Sequence, residues 1–258
     1  MHTYEEYRQI LELWEVGFKK KRIAIMTGIN RASVRECIER YQSVEGLAAF
    51  KIKHPDIPVV LKELMAGPDQ GNESLPQAYA YLLGLYLGDG CISLLRKTYK
   101  LRIVLDTRYP QIIAAAAQAT QVVAPNNVVS VVRGAGNYVV VTCHSNYWPK
   151  LFPQHGPGVK HNRPIVLDAW QECIVQTYPL QFFKGLYHSD GCRDLNPVNG
   201  KDYPRYSFSN KSDDIRGLFC NTCDQLGLHW RTATNGLCIQ IARRPDVAFL
   251  DQHVGPKS

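Results

Sequence analysis

Two apolar stretches of this chain, about a hundred residues apart, close on the same pair of residues, and that repetition limits the folds open to it. The first reads Leu82-Leu83-Gly84-Leu85-Tyr86-Leu87-Gly88-Asp89-Gly90, the second Phe183-Lys184-Gly185-Leu186-Tyr187-His188-Ser189-Asp190-Gly191. Each is apolar up to its last turn, and each carries small residues four apart, Gly84 with Gly88 and Gly185 with Ser189. Residues at i and i+4 share a helix face, and small ones let two backbones approach closely. The spacing predicts two helices packed on each other, with Asp89 and Asp190 leaving side by side from one end. Two carboxylates gathered in this way suit divalent-metal and phosphodiester chemistry. A single Asp-Gly after a helix is a common turn; the second copy is what carries the reading.

On these residues the chain resembles the single-chain, two-motif LAGLIDADG homing endonucleases. Gly84, Leu85, Asp89 and Gly90 carry the match in the first motif, and Gly185, Leu186, Asp190 and Gly191 in the second. Leu87 and His188 depart from it, standing where the family consensus has its first acid, which is not the family's metal ligand. The resemblance covers residues 77–258. It implies a pseudo-two-fold α+β body built from a duplicated αββαββ unit, working as a monomer on double-stranded DNA. It also implies catalytic Asp89 and Asp190 holding Mg2+ or Mn2+, with the carbonyls of Gly88 and Ser189 as further ligands. A later repeat runs from Leu151 to Lys160 and from Phe249 to Lys257, each copy ending on a lysine near a Gly-Pro turn. The resemblance gives Lys160 and Lys257 the catalytic role of orienting solvent and neutralising the phosphate. It also assigns a polar side chain to the end of each half's second strand, by position Asp106 and Asn210.

Charge agrees with a polyanionic partner. The net charge is +7 over 258 residues, and the excess lies in residues 77–258. A mildly basic protein with no nucleic-acid role has the same totals. No run is long enough to span a bilayer and no charged-then-apolar leader is present, so a cytoplasmic protein away from membranes is expected. The eight cysteines lie in apolar stretches and read as reduced core thiols. Cys220 and Cys223 have metal-like spacing without an answering pair, and a buried helix face is the better account.

The chain divides into a head (1–47), a Pro/Gly-rich linker (48–76) and a body (77–258, with half-repeats at about 77–160 and 178–258). In the head, Tyr7, Ile10, Leu11 and Trp14 repeat at helical spacing up to Gly17. Ile23, Ala24 and Met26 form a short helix ended by Thr27-Gly28. Asn30 then caps a third helix with Val34, Cys37, Ile38 and Tyr41 on its apolar face. This order resembles homeodomain-like or resolvase-type helix-turn-helix heads, in which Arg31, Ser33 and Arg35 open the recognition helix. A three-helix packing module fits the near-neutral local charge as well.

In the body, strands are expected at 92–95 and 101–105, a helix at 109–121, and strands at 128–133 and 138–144. After the second motif come a polar hairpin ending at 205–209, a helix at 213–226, and strands at 230–234 and 237–242. Leu101, Ile103 and Leu105 alternate with Lys100 and Arg102; Tyr206 and Phe208 alternate with Arg205 and Ser207; Gln240 lies between Ile239 and Ile241. A half-buried sheet with a basic, hydrogen-bonding outer face suits the major groove, although a solvated face gives each side chain a sufficient reason alone. Two other functions share this pattern: a catalytically silent DNA-binding transcriptional regulator, and an intron RNA maturase.

Overall fold

The computed structural model describes residues 9, 10, 13, 14, 18–42 and 74–258. The chain separates into two compact units, residues 1–63 with 168–172, and residues 64–167 with 173–258. In the first unit, residues 9, 10, 13 and 14 are helical, followed by α1 (Lys20–Thr27) and α2 (Arg31–Gln42). Gly28 ends α1 in the left-handed conformation, at φ 70°. Asn30 caps α2 by accepting from the Ser33 amide at 2.8 Å. Ile10, Ile23, Ile29, Val34, Cys37 and Ile38 form the core. Met26 is exposed, whereas Ile29, just beyond the turn, is buried. Tyr7, Leu11, Gly17, the Tyr41 side chain and linker residues 48–73 lie outside the described residues.

The body begins with α3 (Leu75–Asp89), two residues ahead of the expected boundary. Gln77 Oε1 accepts from the Ser74 amide at 3.0 Å, and Pro76 sits in the first turn, where its missing N–H costs nothing. Leu82, Leu83, Leu85, Tyr86 and Leu87 are all buried, as a helix apolar on every side requires. There follow β1 (Gly90–Leu94), β2 (Tyr99–Asp106), α4 (Pro110–Val123), β3 (Val129–Arg133), β4 (Tyr138–His144) and α5 (Trp148–Leu151). After a 3-10 turn at Lys160–Asn162 come α6 (Ala169–Thr177) and α7 (Pro179–Asp190). The second half repeats the order: β5 (Gly191–Val198), β6 (Lys201–Ser209), α8 (Asp213–Gln225), β7 (Trp230–Thr232), β8 (Cys238–Ile241) and α9 (Arg244–His253).

Among the described residues two four-stranded antiparallel sheets form, ordered β1-β2-β4-β3 and β5-β6-β8-β7. Gly90 pairs with Ile103 and Gly191 with Phe208, so the halves share one register and the αββαββ unit is duplicated. The alternating residues Leu101, Ile103 and Leu105 are buried, as are Tyr206, Phe208, Ile239 and Ile241. Phe208 stacks on Phe219 of α8 at 4.2 Å between ring centroids. The β5-β6 hairpin turns on Asn199-Gly200, both with positive φ (50° and 75°), the conformation an Asn-Gly turn favours.

Candidate active site

The site is built by the approach of α3 to α7. A Cβ on Gly84 would lie 2.6 Å from the Leu186 amide nitrogen and 2.7 Å from the Phe182 carbonyl oxygen. One on Gly185 would land on the Tyr81 carbonyl oxygen. Only glycine permits this crossing. One turn later, a Cβ on Gly88 would meet Asp190 Oδ2 at 2.7 Å, so the α7 carboxylate lies against the end of α3. His188, at the consensus departure, is buried with Nδ1 2.8 Å from the Tyr81 hydroxyl. Burial first, then Lys184 and Lys257, pulls its pKa down to about 3, leaving the ring neutral.

Asp89 and Asp190 are both partly buried at the helix exits. Burial, reinforced by the Asp190 charge, pushes Asp89 up to about 6, with Lys257 and Lys160 pulling the other way. Burial also raises Asp190, opposed by its hydrogen bond from Asn210 and by the same two lysines. Lys160 Nζ donates to the carbonyls of Tyr86, Leu87 (2.9 Å) and Gly88 (3.0 Å) and lies 4.9 Å from the Tyr86 ring centroid. Lys257 Nζ donates to the Ser189 carbonyl at 2.8 Å and lies 6.0 Å from the Tyr187 ring. Each lysine thus caps the C-terminal end of one motif helix, where cations are favoured. Burial lowers both, Lys160 to about 8, against the carboxylates that hold them up.

Supporting residues hold these four in place. Asn210 Nδ2 donates to Asp190 Oδ2 at 2.7 Å, while its own Oδ1 accepts from the Ser212 amide at 2.8 Å. Asp106 is placed differently, and its expected equivalence to Asn210 is corrected by the register. Counting from Ile103 and Phe208, Leu105 matches Asn210; Asp106 falls on the alternate face and binds Arg108 at 2.7 Å. Arg163, which sequence reasoning did not single out, donates to the carbonyls of Gln154, Gly156, Pro157 and Gly158 and so ties down the loop leading to Lys160. Lys257 is anchored from two sides. Asp251 of α9 binds Arg193 at 2.7 Å and the Tyr206 hydroxyl at 2.7 Å, and the Ser258 carbonyl oxygen accepts from the Gln111 amide at 3.1 Å at the start of α4. An isolated arginine or the carbonyls it gathers leaves no periodic signal in a sequence, which is why these anchors were missed.

The donor set fits a divalent cation. Among the described residues no three His, Cys, Asp or Glu side chains converge, so two carboxylates and the Gly88 and Ser189 carbonyls are what the protein offers. Magnesium is commonly held by one or two carboxylates together with substrate phosphates and water. A carbonyl oxygen has two lone pairs, so accepting from a lysine leaves one for a cation. A cleft of about 640 Å³ opens beside this group, lined by Gly88, Lys160, Asp190, Asn210 and Lys211 among others.

The expected nucleic-acid residues are placed unevenly. Lys100 and Arg102 lie on the outer face of the first sheet, and Arg102 donates to Ser93 at 3.0 Å. On the second sheet Arg205 is bound to Asp194 at 2.7 Å, and Ser207 is buried with its hydroxyl 3.2 Å from the same carboxylate. Gln240 is half-buried beside exposed Arg231, a neighbour the sequence reading did not name. In the head Arg31 and Arg35 are exposed and Ser33 is half-buried at the start of α2. Cys220 and Cys223 are buried on α8, and burial raises both thiols, Cys220 to about 11. None of the eight cysteines is in a disulfide, but they are not all core thiols: Cys192 is exposed and Cys91, Cys173 and Cys238 are half-buried. No helix among the described residues is long and apolar enough to cross a membrane.

No protein-family model matches the chain, and no curated protein matches it. Solved structures similar to it include I-DmoI in complex with DNA and Mn, at 17% identity and a TM-score of 0.48, covering 70% of this chain and 98% of that one. I-DmoI in complex with DNA and Ca is similar at 16% identity and a TM-score of 0.47, covering 69% and 90%. The N-terminal LAGLIDADG domain of DUF199/WhiA is similar at 15% identity and a TM-score of 0.43, covering 76% and 90%.

Proposed function

We propose that this chain is a monomeric, homing-type, site-specific double-strand DNA endonuclease that depends on Mg2+ or Mn2+ and acts in the cytoplasm. The observation that carries the reading is the meeting of two carboxylates, Asp89 and Asp190, with two ammonium groups, Lys160 and Lys257, at one end of a tightly crossed helix pair. A silent scaffold has no need to bear the desolvation of four charged groups there.

DNA phosphodiesters resist hydrolysis because the anion repels a nucleophile and charge gathers on the attacking and leaving oxygens. Lys160 and Lys257 bring positive charge to the phosphate, and Lys257, which gives one hydrogen bond to the Ser189 carbonyl, orients the attacking water. Asn210 fixes the orientation of Asp190 and helps keep it ionised. A divalent cation held by Asp89, Asp190 and the carbonyls of Gly88 and Ser189 supplies Lewis-acid polarisation of phosphate and water when bound. The two sheets present Lys100, Arg102 and Gln240 toward the duplex, with Arg205 and Ser207 arranged around Asp194. Residues 1–47, carrying Arg31, Ser33 and Arg35, form an additional DNA-binding helix-turn-helix, joined to the body by the linker.

The test is cleavage of a large randomised duplex pool with magnesium by the wild type, Asp89→Asn and Asp190→Asn. Site-specific double-strand breaks in the wild type, with nicks or nothing in each variant, are expected. Binding without breaks, equal in all three proteins, replaces this reading with a DNA-binding regulator, and a preference for structured RNA over duplex DNA replaces it with a maturase.

A further inference from the structure

The outer faces of the two sheets differ in a way the duplicated fold does not require. On the first sheet Val104 pairs with Val140 and Val140 with Val132, so three valines lie side by side across β2, β4 and β3 on the face opposite the core. Val104 is 42% exposed and Val132 51%. The same register positions on the second sheet are Ser209, Cys238 and Ala233. Valine's strand propensity accounts for any one of these residues. It does not account for a contiguous apolar row on the solvent side of one sheet only, since the solvated side of an antiparallel sheet is ordinarily polar.

The row beside the valines is Cys91, Arg102, Thr142 and Ser130, and beyond it Lys100 stands opposite His144. The apolar strip is therefore flanked by cationic and hydrogen-bonding groups that match a phosphate backbone and polar base edges. In the major groove the apolar feature of a base pair is the thymine 5-methyl group. We infer that Val104, Val140 and Val132 are specificity-determining residues that recognise thymine methyl groups, so that the first half reads a thymine-bearing half-site which the second half, with Ser209, Cys238 and Ala233, does not. This rests on the double-strand DNA reading above and adds to it a division of labour between the halves.

The experiment is selection of duplexes from a random pool by the full-length protein in EDTA, followed by affinity measurements on the selected duplex with uracil replacing thymine. Uracil lacks only the methyl group, so the comparison needs no protein variant. Each contacted methyl is worth about fourfold in affinity, from ~0.8 kcal/mol per buried methyl-sized group. The expected result is a loss of about that size per position in one half-site only, disappearing in the Val104→Ser/Val132→Ser/Val140→Ser protein, whose side chains carry no methyl group. Affinity that ignores uracil in both half-sites, or a loss that persists unchanged in the serine variant, overturns the inference while leaving DNA recognition intact. Failure to enrich any duplex overturns both.

Discussion

At the residue scale, Asp89 is held against its own interest. Burial and the neighbouring Asp190 lift it from 3.8 to about 6, so its ionised form is less favourable in the folded chain than in the unfolded one. Well below pH 4 the group is protonated in both states and costs nothing. As pH rises through 6 the full penalty is incurred, about 3 kcal/mol for two units at 1.36 kcal/mol each. Asp89→Asn should therefore raise metal-free stability at pH 8 by roughly that amount, with most of the gain gone at pH 4. Urea unfolding in EDTA at the two pH values measures it, and a variant no more stable than wild type at pH 8 contradicts the buried-carboxylate account. His188 has the opposite sign: its pKa is depressed to about 3, so its contribution is whole above the ordinary histidine range and is lost as pH falls from about 6.5 toward 3. Between pH 6 and 4 the two oppose one another in the wild type. Asp89→Asn removes the compensation, and its stability should drop more steeply with acid over that window.

At the element scale, the crossing of α3 and α7 decides whether the site exists. Gly84→Ala and Gly185→Ala each place a Cβ against backbone atoms that cannot move aside, so each should cost at least the 1–3 kcal/mol typical of overpacking, as roughly estimated from core insertions. Gly217 in α8 is the control: it is exposed, and a Cβ there meets nothing within 4 Å. Gly217→Ala should stabilise by about 0.5–1 kcal/mol through helix propensity. Equal thermal shifts at positions 84, 185 and 217 would contradict the close crossing. This element was the most legible part of the sequence, because glycines four apart in an apolar run have few other uses. The sheets were legible through alternation, and β4 was read to its ends at Tyr138 and His144. Helix α9 was not, since its apolar residues form one short run, Val247-Ala248-Phe249-Leu250, without helical spacing, and its first turn, Arg244-Pro245-Asp246, reads as a loop. The β5-β6 hairpin was only partly read: Pro197 and Pro204 argue against strands, and the Asn199-Gly200 turn signal between them went unused. Within the site, the carboxylates and lysines carried a repeat and could be found. Arg163 and Asp251 act through carbonyls and ion pairs distant in sequence, which no local pattern encodes.

At the scale of the whole molecule, duplication gives two half-sites that resemble each other without being equal. Lys160 caps three carbonyls and Lys257 one. Asp190 receives a hydrogen bond from Asn210, whereas Leu105, at the matching register position, is buried and has no donor to offer the other half. A carboxylate held by a neutral amide stays ionised and oriented at lower pH than one without that help. If each aspartate serves one strand, the strand served by Asp190 should be cut first and nicked duplex should accumulate before the double-strand break. Asn210→Leu makes the two register positions alike. It should slow that strand by about 10–100-fold, a cost of ~1.4–2.7 kcal/mol, in the range for a lost charge-assisted hydrogen bond, while leaving the other strand near its original rate. Strand-specific end-labels on a selected target duplex read both rates. Equal rates in the wild type, or equal slowing of both strands by Asn210→Leu, would mean that the asymmetry around the carboxylates does not reach the chemistry, and that the two halves act as a single shared centre.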